Sequence, residues 1–141
     1  MKQTMNILTS ILFIFITSIY AKEGEKMKIS VNSNGNTTVF ELNDSSASKE
    51  LYAQLPLSIK VENYSNDEKI FYPPNKLTTS NTPLAKNTKA GTLAYYAPWG
   101  DVVMFYKNFG SASGLYELGK VLWETEYIEN MSGTITIDKM E

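Results

Sequence analysis

Short segments rich in β-branched and aromatic residues follow one another along most of this chain, and turn residues separate them. The pair Asn34-Gly35 lies between two such segments, and this dipeptide is typical of a tight β-hairpin turn. From Leu57 to Glu62 apolar and polar residues alternate, so that one face of a strand is apolar. The pattern therefore predicts a mainly β protein, an antiparallel barrel or sandwich. The predicted strands are residues 28–31, 37–42, 57–62, 69–72, 92–97, 102–106, 118–123 and 134–137.

One or two short helices and one long connection complete this pattern. Asp44 or Ser45 is expected to cap a helix over residues 46–54, and residues 126–131 predict one further helical turn. Residues 75–90, rich in Asn, Thr, Lys and Pro, predict a long exposed connection. Since no linker or repeat divides the rest of the chain, we expect a single domain that stands on its hydrophobic core.

The densest group of aromatic residues lies in GTLAYYAPWGDVVMFYKNFG, residues 91–110. Two strands flank a turn in which Pro98 sets the first corner and Gly100 supplies the positive φ angle. Because side chains alternate across a strand, at least half of these rings are expected in the core, Phe105 among them. The outward rings, with Trp99 on the turn, predict an aromatic shelf that recognises a peptide or small molecule. The candidate ligand-binding residues are Tyr95, Tyr96, Trp99, Tyr106, Phe109 and Tyr116.

Three residue types with central roles in catalysis and metal binding are missing from the sequence: histidine, cysteine and arginine. Without histidine the commonest general base near neutral pH is lost, and without histidine or cysteine a zinc or copper site lacks its usual ligands. The basic residues are all lysines, whose ammonium group cannot clamp phosphate or carboxylate with two parallel hydrogen bonds. The net charge of −2 argues against a nucleic-acid partner. We therefore expect neither a metal nor a cofactor.

One further pattern resembles a phosphate-binding loop. Gly114, Gly119 and Lys120 have the spacing of that motif, but Val121 stands where the motif requires serine or threonine. The interpretation that we favour is a strand that begins nearby and carries a surface lysine.

The first 21 residues have the pattern of a secretory signal peptide. Lys2 supplies a positive charge, the apolar run over residues 7–19 is short for a bilayer span, and Ala21 ends the segment. We therefore expect residues 1–21 to be a signal peptide and the mature domain, residues 22–141, to be periplasmic or secreted. The alternative is an uncleaved segment that anchors the protein in a membrane.

Five segments, in their order along the chain, resemble a family of small bacterial cyclophilin-like proteins. They are LPLSIKVENY, EKIFYPPNKL, GTLAYYAPWGDVVMFYKNFG, LYELGKV and SGTITI, and they cover essentially the whole mature chain. The resemblance implies a closed antiparallel β-barrel of about eight strands with short capping helices. Members of that family are often exported or found beside flavodoxin-like and other redox proteins.

The resemblance does not by itself imply prolyl isomerase activity, because one fold hosts many functions. In true cyclophilins a groove arginine polarises the prolyl peptide group, and aromatic residues and a histidine form the proline pocket. Since this chain has neither arginine nor histidine, we expect a monomeric exported binding module that recognises a peptide or small ligand without isomerase activity.

Three alternatives remain open at this point. The chain could be a weak peptidyl-prolyl cis-trans isomerase, in which a lysine or tyrosine polarises the peptide group. It could be an accessory domain of a flavodoxin-like redox system, with a redox protein as its partner. It could also be an enzyme that uses a tyrosine or a carboxylate as acid or base on a small substrate.

Overall fold

The computed structural model describes residues 26–141, and the predicted signal peptide over residues 1–21 lies outside them. The described residues form one antiparallel sheet of nine strands, one α-helix and one short 3-10 helix. No helix in this part of the chain has both the length and the apolar character needed to cross a membrane. The elements are β1 (Lys28–Ser33), β2 (Asn36–Leu42), α1 (Ser46–Ala53), β3 (Leu57–Lys60), β4 (Glu62–Tyr64), β5 (Glu68–Phe71), β6 (Thr92–Tyr96), β7 (Asp101–Phe105), β8 (Leu115–Trp123), the 3-10 helix (Thr125–Tyr127) and β9 (Thr134–Met140).

The sheet curls into a nearly closed barrel. Its strand order is β3-β9-β1-β2-β8-β6-β7-β5-β4, so the two edge strands are β3 and β4. Only Val61 separates these strands in the chain, and the two edges of the sheet therefore lie next to each other. The nitrogen of Val61 donates a hydrogen bond to the carbonyl oxygen of Gly133 just before β9, at 2.9 Å. The predicted barrel is confirmed, and its ninth strand arises because the predicted strand over residues 57–62 breaks at Val61.

Two local predictions are confirmed at the ends of strands. Asn34 and Gly35 have φ angles of 52° and 84°, the backbone that a type I′ hairpin turn requires. Across that turn Ser33 pairs with Asn36, so β1 and β2 form the expected hairpin. The helical turn predicted at residues 126–131 forms as a shorter 3-10 helix that begins one residue earlier.

Helix α1 is capped and fixed to the barrel by serine side chains. The Ser45 hydroxyl oxygen accepts a hydrogen bond from the backbone nitrogen of Ser48 at 3.3 Å, which identifies the cap between the two predicted candidates. The Ser48 hydroxyl lies 2.8 Å from the carbonyl oxygen of Leu118 in β8, to which it donates. One turn further along, Leu51 is fully buried in the core. Helix α1 is therefore held to β8 by a buried hydrogen bond, and it contributes Leu51 to the main core.

The connection between β5 and β6 is less exposed than the sequence predicts. Leu77, Ala85 and Thr88 are buried within it. The backbone nitrogen of Leu77 donates to the Tyr95 hydroxyl oxygen at 3.1 Å. Thr88 and Gly110 form a bridge between this connection and the loop after β7. These contacts hold the connection against the barrel at three points, while most of its residues are exposed as predicted.

The main hydrophobic core fills the inside of the barrel. Side chains on a strand alternate between the two faces of the sheet, and in β6 and β7 this sends Leu93, Tyr95, Val102 and Met104 inward. The large fully buried side chains around them include Ile29, Phe40, Leu51, Phe71, Leu118, Ile128, Ile135 and Ile137.

A second, smaller cluster covers the other face of β5, β6 and β7, and we call it the outer cluster. Strand β7 is buried at every position, because its odd residues face this cluster while its even residues face the core. The sequence predicts this burial on both faces, because residues 102–106 are apolar or aromatic at every position. The members of the outer cluster are Ile70, Ala85, Ala94, Val103, Phe105 and Leu115, with Tyr96 packed against them.

Candidate functional site

A cavity of about 250 Å³ opens beside the outer cluster, and we call it the outer pocket. It lies on the outside of the barrel, away from the main core. Most of its wall is aromatic, and two carboxylic acids complete it. The lining residues are Tyr64, Glu68, Tyr96, Trp99, Asp101, Phe105, Phe109, Ala112 and Leu115.

Strand register brings these side chains together from β4, β5, β6 and β7, and Leu115 is contributed by β8. Tyr64 pairs with Glu68 across β4 and β5, and Glu68 pairs with Phe105 across β5 and β7. Directly opposed residues of an antiparallel pair project from the same face of the sheet. Asp101 lies four residues before Phe105 in β7 and so projects from that same face, where it opposes Tyr96 of β6. The outer pocket is therefore a product of the β4-β5-β7-β6 pairing.

The turn between β6 and β7 places Trp99 at the rim of the outer pocket. The carbonyl oxygen of Tyr96 accepts hydrogen bonds from the nitrogens of Gly100 at 2.9 Å and Trp99 at 3.2 Å. Gly100 has a φ angle of 73°, as predicted for the closing residue of this turn. The Trp99 ring meets Tyr64 and Tyr96 edge to face, with ring centres 5.1 and 5.4 Å away, yet 46 % of the residue stays exposed. The predicted partial exposure of Trp99 is confirmed.

The loop after β7 closes another side of the outer pocket. Thr88 holds this loop, because its carbonyl oxygen accepts from the nitrogen of Phe109 at 3.1 Å and its hydroxyl donates to the carbonyl oxygen of Gly110 at 2.8 Å. The Phe109 ring then lies 5.0 Å from the ring of Phe105, centre to centre. Phe105 is buried, as predicted, but one side of its ring also forms the wall of the pocket.

Three of the six predicted ligand-binding residues line the outer pocket: Tyr96, Trp99 and Phe109. The other three do not. Tyr95 is 1 % exposed and projects into the main core, and its pairing partner Tyr116 shares that face of the sheet. Tyr106 follows Phe105 and packs against the main core as well. The structure thus brings three of the six candidates together in one pocket and sends the other three elsewhere, because alternation directs neighbouring rings to opposite faces.

Three functional candidates were not predicted from the sequence: Tyr64, Glu68 and Asp101. Glu68 follows Asn66 and Asp67, and Asp101 follows Gly100, so each acid resembles an ordinary turn residue next to a strand. Their common location depends on the pairing of β5 with β7, although Glu68 and Asp101, the first residues of these strands, lie 33 positions apart in the sequence. No local sequence pattern predicts that β5 pairs with β7.

Both acids of the outer pocket are buried. Burial, together with the negative charges of Asp67 and Asp101, raises the pKa of Glu68 from 4.5 to about 7. Burial likewise raises the pKa of Asp101 to about 6, against a smaller opposite effect of a hydrogen bond from its own backbone N–H. Near pH 7 the outer pocket therefore holds one ionised carboxylate and a second group close to its midpoint.

A second cavity of about 180 Å³ lies between β2 and β8, and none of its lining residues is aromatic: Glu41, Leu42, Asn43, Glu117, Gly119 and Lys120. No three acidic residues of the described chain are grouped so as to hold a metal ion. The spacing that resembles a phosphate-binding loop falls in β8, where a Cβ atom on Gly119 would lie 2.2 Å from the carbonyl oxygen of Glu41. Gly119 is therefore packed against β2 rather than free to surround a phosphate, and the strand interpretation is confirmed.

Comparison with known proteins identifies the group to which this barrel belongs. The sequence profile of the Cyclophilin-like family matches residues 31–138. The solution structure of a hypothetical protein from Archaeoglobus fulgidus is similar, with a TM-score of 0.63 and 14 % sequence identity, over 84 % of this chain and 98 % of that chain. No curated protein matches the sequence. The nearly closed antiparallel barrel agrees with both similarities, and the chain belongs to the cyclophilin-like family, not to the classical cyclophilins.

Proposed function

We propose that this protein is a binding module, and that its outer pocket takes one side chain of a peptide or a small ligand of similar size. The observation that carries the proposal is the composition of the pocket wall. Five aromatic side chains and two buried acids surround a cavity of about 250 Å³. Ligand pockets in proteins are mostly apolar, with a few polar groups that fix orientation.

Exposure of aromatic rings supports this function. Tyr64, Trp99 and Phe109 are 44 %, 46 % and 42 % exposed, and all three lie at the rim of the same cavity. Single exposed apolar residues are common on protein surfaces, but a contiguous group of them usually marks a binding surface. Tyrosine and tryptophan also provide a large contact area with few rotatable bonds, which lowers the entropy lost on binding.

Ligand binding can be tested with two matched tryptophan variants. We would screen peptides and small molecules against the protein by ligand-observed NMR, and then measure the hits with Trp99→Ala and Trp123→Ala. Trp123 is 44 % exposed but does not line the outer pocket. Trp99→Ala is expected to weaken binding by roughly tenfold or more, as loss of a central aromatic residue does, while Trp123→Ala leaves it unchanged. Equal effects of the two variants would contradict the proposal.

We further propose that binding proceeds without prolyl isomerisation. A cyclophilin-type mechanism needs a donor that weakens amide resonance, and neither arginine nor histidine is present to serve. In a peptide assay that reports proline cis/trans exchange, the purified domain is expected not to raise the uncatalysed rate appreciably. A rate comparable to that of ordinary cyclophilins in a clean preparation would overturn this part and favour the alternative of a weak isomerase.

The location and partner of the protein are part of the same proposal. The N-terminal pattern supports export, so the ligand would be a periplasmic or extracellular peptide, a small molecule or a redox protein. N-terminal sequencing of protein recovered outside the cytoplasm is expected to begin near Lys22. An intact Met1 terminus in the membrane fraction would instead support the uncleaved anchor.

A further inference from the structure

The outer pocket contains two carboxyl groups that have little access to water. Glu68 is 9 % exposed and Asp101 is 1 % exposed. Both belong to the pocket wall, Glu68 at the start of β5 and Asp101 at the start of β7. Acids are almost never buried to this extent in proteins unless a partner compensates their charge.

Within the described residues neither acid has such a partner. The one ion pair in this part of the chain joins Lys60 to Glu62 on the surface. Oδ1 of Asp101 is buried and has no hydrogen-bond partner. Lys69 is the sequence neighbour of Glu68, but alternation sends its side chain to the opposite face of β5, where its ammonium group bonds to the Asn63 amide oxygen. No lysine of the described residues forms an ion pair with either carboxylate. Each acid is therefore neutral when it holds a proton, and when it is ionised its compensating charge has to come from outside.

The remaining walls of the outer pocket also suit a positive charge. Trp99 meets Tyr64 and Tyr96 at interplanar angles of 80° and 78°, so neighbouring rings present both edges and faces to the same corner. An ammonium group is attracted to the face of an aromatic ring, most strongly to tryptophan, and more so when water is excluded. Phe105 and Phe109 supply an apolar surface for the carbon atoms attached to such a group. An anion would meet two carboxylates, and a neutral ligand would leave them unpaired.

We propose that the outer pocket binds a protonated amine, with the ammonium group between Glu68 and Asp101 and its carbon chain against the aromatic rings. This inference rests on the proposed function, since it concerns the same pocket, and it adds the chemical class of the ligand. The amine can be a lysine side chain in a peptide or a free small amine, because the two share the same ammonium chemistry.

Binding of this kind depends on pH, because a cation is held by ionised carboxylates. The raised pKa values of Glu68 and Asp101 predict that both are largely protonated near pH 5 and largely ionised near pH 8. Phenol and ammonium groups ordinarily titrate near or above about pH 10, so the carboxyl groups supply the change of charge. The other titratable groups around the two acids are Asp67, Tyr64, Tyr72, Tyr96, Tyr106 and Lys76, whose carbon chain lies against the Gly100 turn.

The test compares each amine with a neutral molecule of similar size and shape. N-acetyl-lysine methylamide would be compared with N-acetyl-norleucine methylamide, and benzylammonium with benzyl alcohol, by calorimetry and NMR at about pH 5.5 and about pH 8. At the higher pH at least one amine is expected to bind roughly tenfold or more tightly than its neutral counterpart, and the preference should shrink at the lower pH. A preference for the lysine probe over the norleucine probe would indicate a peptide ligand. A preference for benzylammonium over benzyl alcohol would indicate a free small amine.

Variants of the acids provide a second readout. Glu68→Gln and Asp101→Asn are expected to remove the preference for the amine, whereas Glu117→Gln and Asp138→Asn, which change exposed acids on β8 and β9, should retain it. The comparison of amine with neutral probe in the wild-type protein does not depend on how well any variant folds.

The outcomes separate this inference from the proposed function. Neutral probes that bind as tightly as the amines at about pH 8 would overturn the amine assignment and leave the binding module intact. Failure of all four probes to bind would also overturn it, while hits in the broader peptide and small-molecule screen would still support the proposed function. An amine preference that survives in both acid variants would place the cation elsewhere and contradict the inference.

Discussion

Phe105 and Trp99 lie in the same pocket, but they differ in how much of each ring the protein covers. Phe105 is 1 % exposed and contributes to the outer cluster, with Phe109 against one side of its ring. Trp99 is 46 % exposed and is held mainly by its edge contacts with Tyr64 and Tyr96. Substitution of Phe105 therefore tests mainly the stability of the fold, and substitution of Trp99 tests mainly ligand binding.

The first prediction concerns the free energy of unfolding of the two alanine variants. Phe105→Ala is expected to lower it by about 3–5 kcal/mol, as truncation of a buried phenylalanine does. The sequence alone suggests a loss of about 1 kcal/mol or less for Trp99→Ala, as for an exposed residue. Its two edge-to-face contacts increase the expected loss to about 1–2 kcal/mol. Urea denaturation of both variants beside the wild type measures the contrast, and a loss for Trp99→Ala as large as that for Phe105→Ala would assign the tryptophan to the core.

The second prediction concerns the hydroxyl group of Tyr95, which serves the architecture rather than the outer pocket. It accepts the backbone N–H of Leu77 at 3.1 Å inside the main core. Tyr95→Phe leaves this N–H without its partner and is expected to cost about 1–3 kcal/mol. Tyr96→Phe is the matched control, because the Tyr96 hydroxyl makes no hydrogen bond among those formed by the described residues and lies at the pocket. A larger loss for Tyr96→Phe in urea denaturation would contradict this assignment.

At the scale of elements, β2 and β8 pack closely against each other at Gly119. A Cβ atom there would lie 2.2 Å from the Glu41 carbonyl oxygen and 3.0 Å from the Cα atom of Leu42. Both contacts are to backbone atoms, which cannot move aside without a shift of the strand. Glycine is therefore required at this position by the spacing of the two strands.

The third prediction follows from this close approach. Gly119→Ala is expected to lower the free energy of unfolding by about 1–3 kcal/mol, since an extra methyl group would have to displace a packed strand. Lys120→Ala, one residue further along the same strand but exposed, should change it by less than about 0.5 kcal/mol. Thermal and urea denaturation of the pair provides the measurement. Equal stability of the two variants would show that β2 and β8 are further apart than described.

At the scale of the whole molecule, the two buried acids link folding to pH. Each has a higher pKa in the folded protein than its ordinary value, so the folded state binds its proton more tightly than the unfolded state. Their effect on stability is therefore most favourable below about pH 4 and is lost as the pH rises through about 6 and 7. Carboxylates that form ion pairs have lowered pKa values and stabilise the folded protein as the pH rises. The pH dependence of the free energy of unfolding therefore distinguishes the two kinds of acid.

The fourth prediction uses Glu68→Gln to isolate this effect. Relative to the wild type, the variant is expected to gain stability between about pH 4 and about pH 8, by on the order of 3 kcal/mol for the shift of Glu68 from 4.5 to about 7. Glu117→Gln should show no such trend. The measurement is the free energy of unfolding in urea at several pH values. A difference from the wild type that stays constant with pH would mean that Glu68 is not a buried acid in solution.

Much of the architecture was open to prediction because its causes are local. The Asn34-Gly35 turn, the serine cap of α1 and the alternation in β6 and β7 each depend on residues that are neighbours in the chain. The partial exposure of Trp99 and the burial of Phe105 follow from the same local rules. The absence of histidine, cysteine and arginine is likewise a property of the sequence itself, and it limits the chemistry of any site in this barrel.

The outer pocket was decided by tertiary structure. Alternation shows that Tyr95 and Tyr96 face opposite sides, but only the closed sheet shows that the side of Tyr96 carries the cavity. Glu68 and Asp101 share that cavity because β5 pairs not only with β4, its neighbour in the sequence, but also with the distant β7. Such a pairing depends on the packing of the entire barrel, whose two edges meet at Val61. Strands that are far apart in the sequence can pair without any local sequence pattern that predicts it.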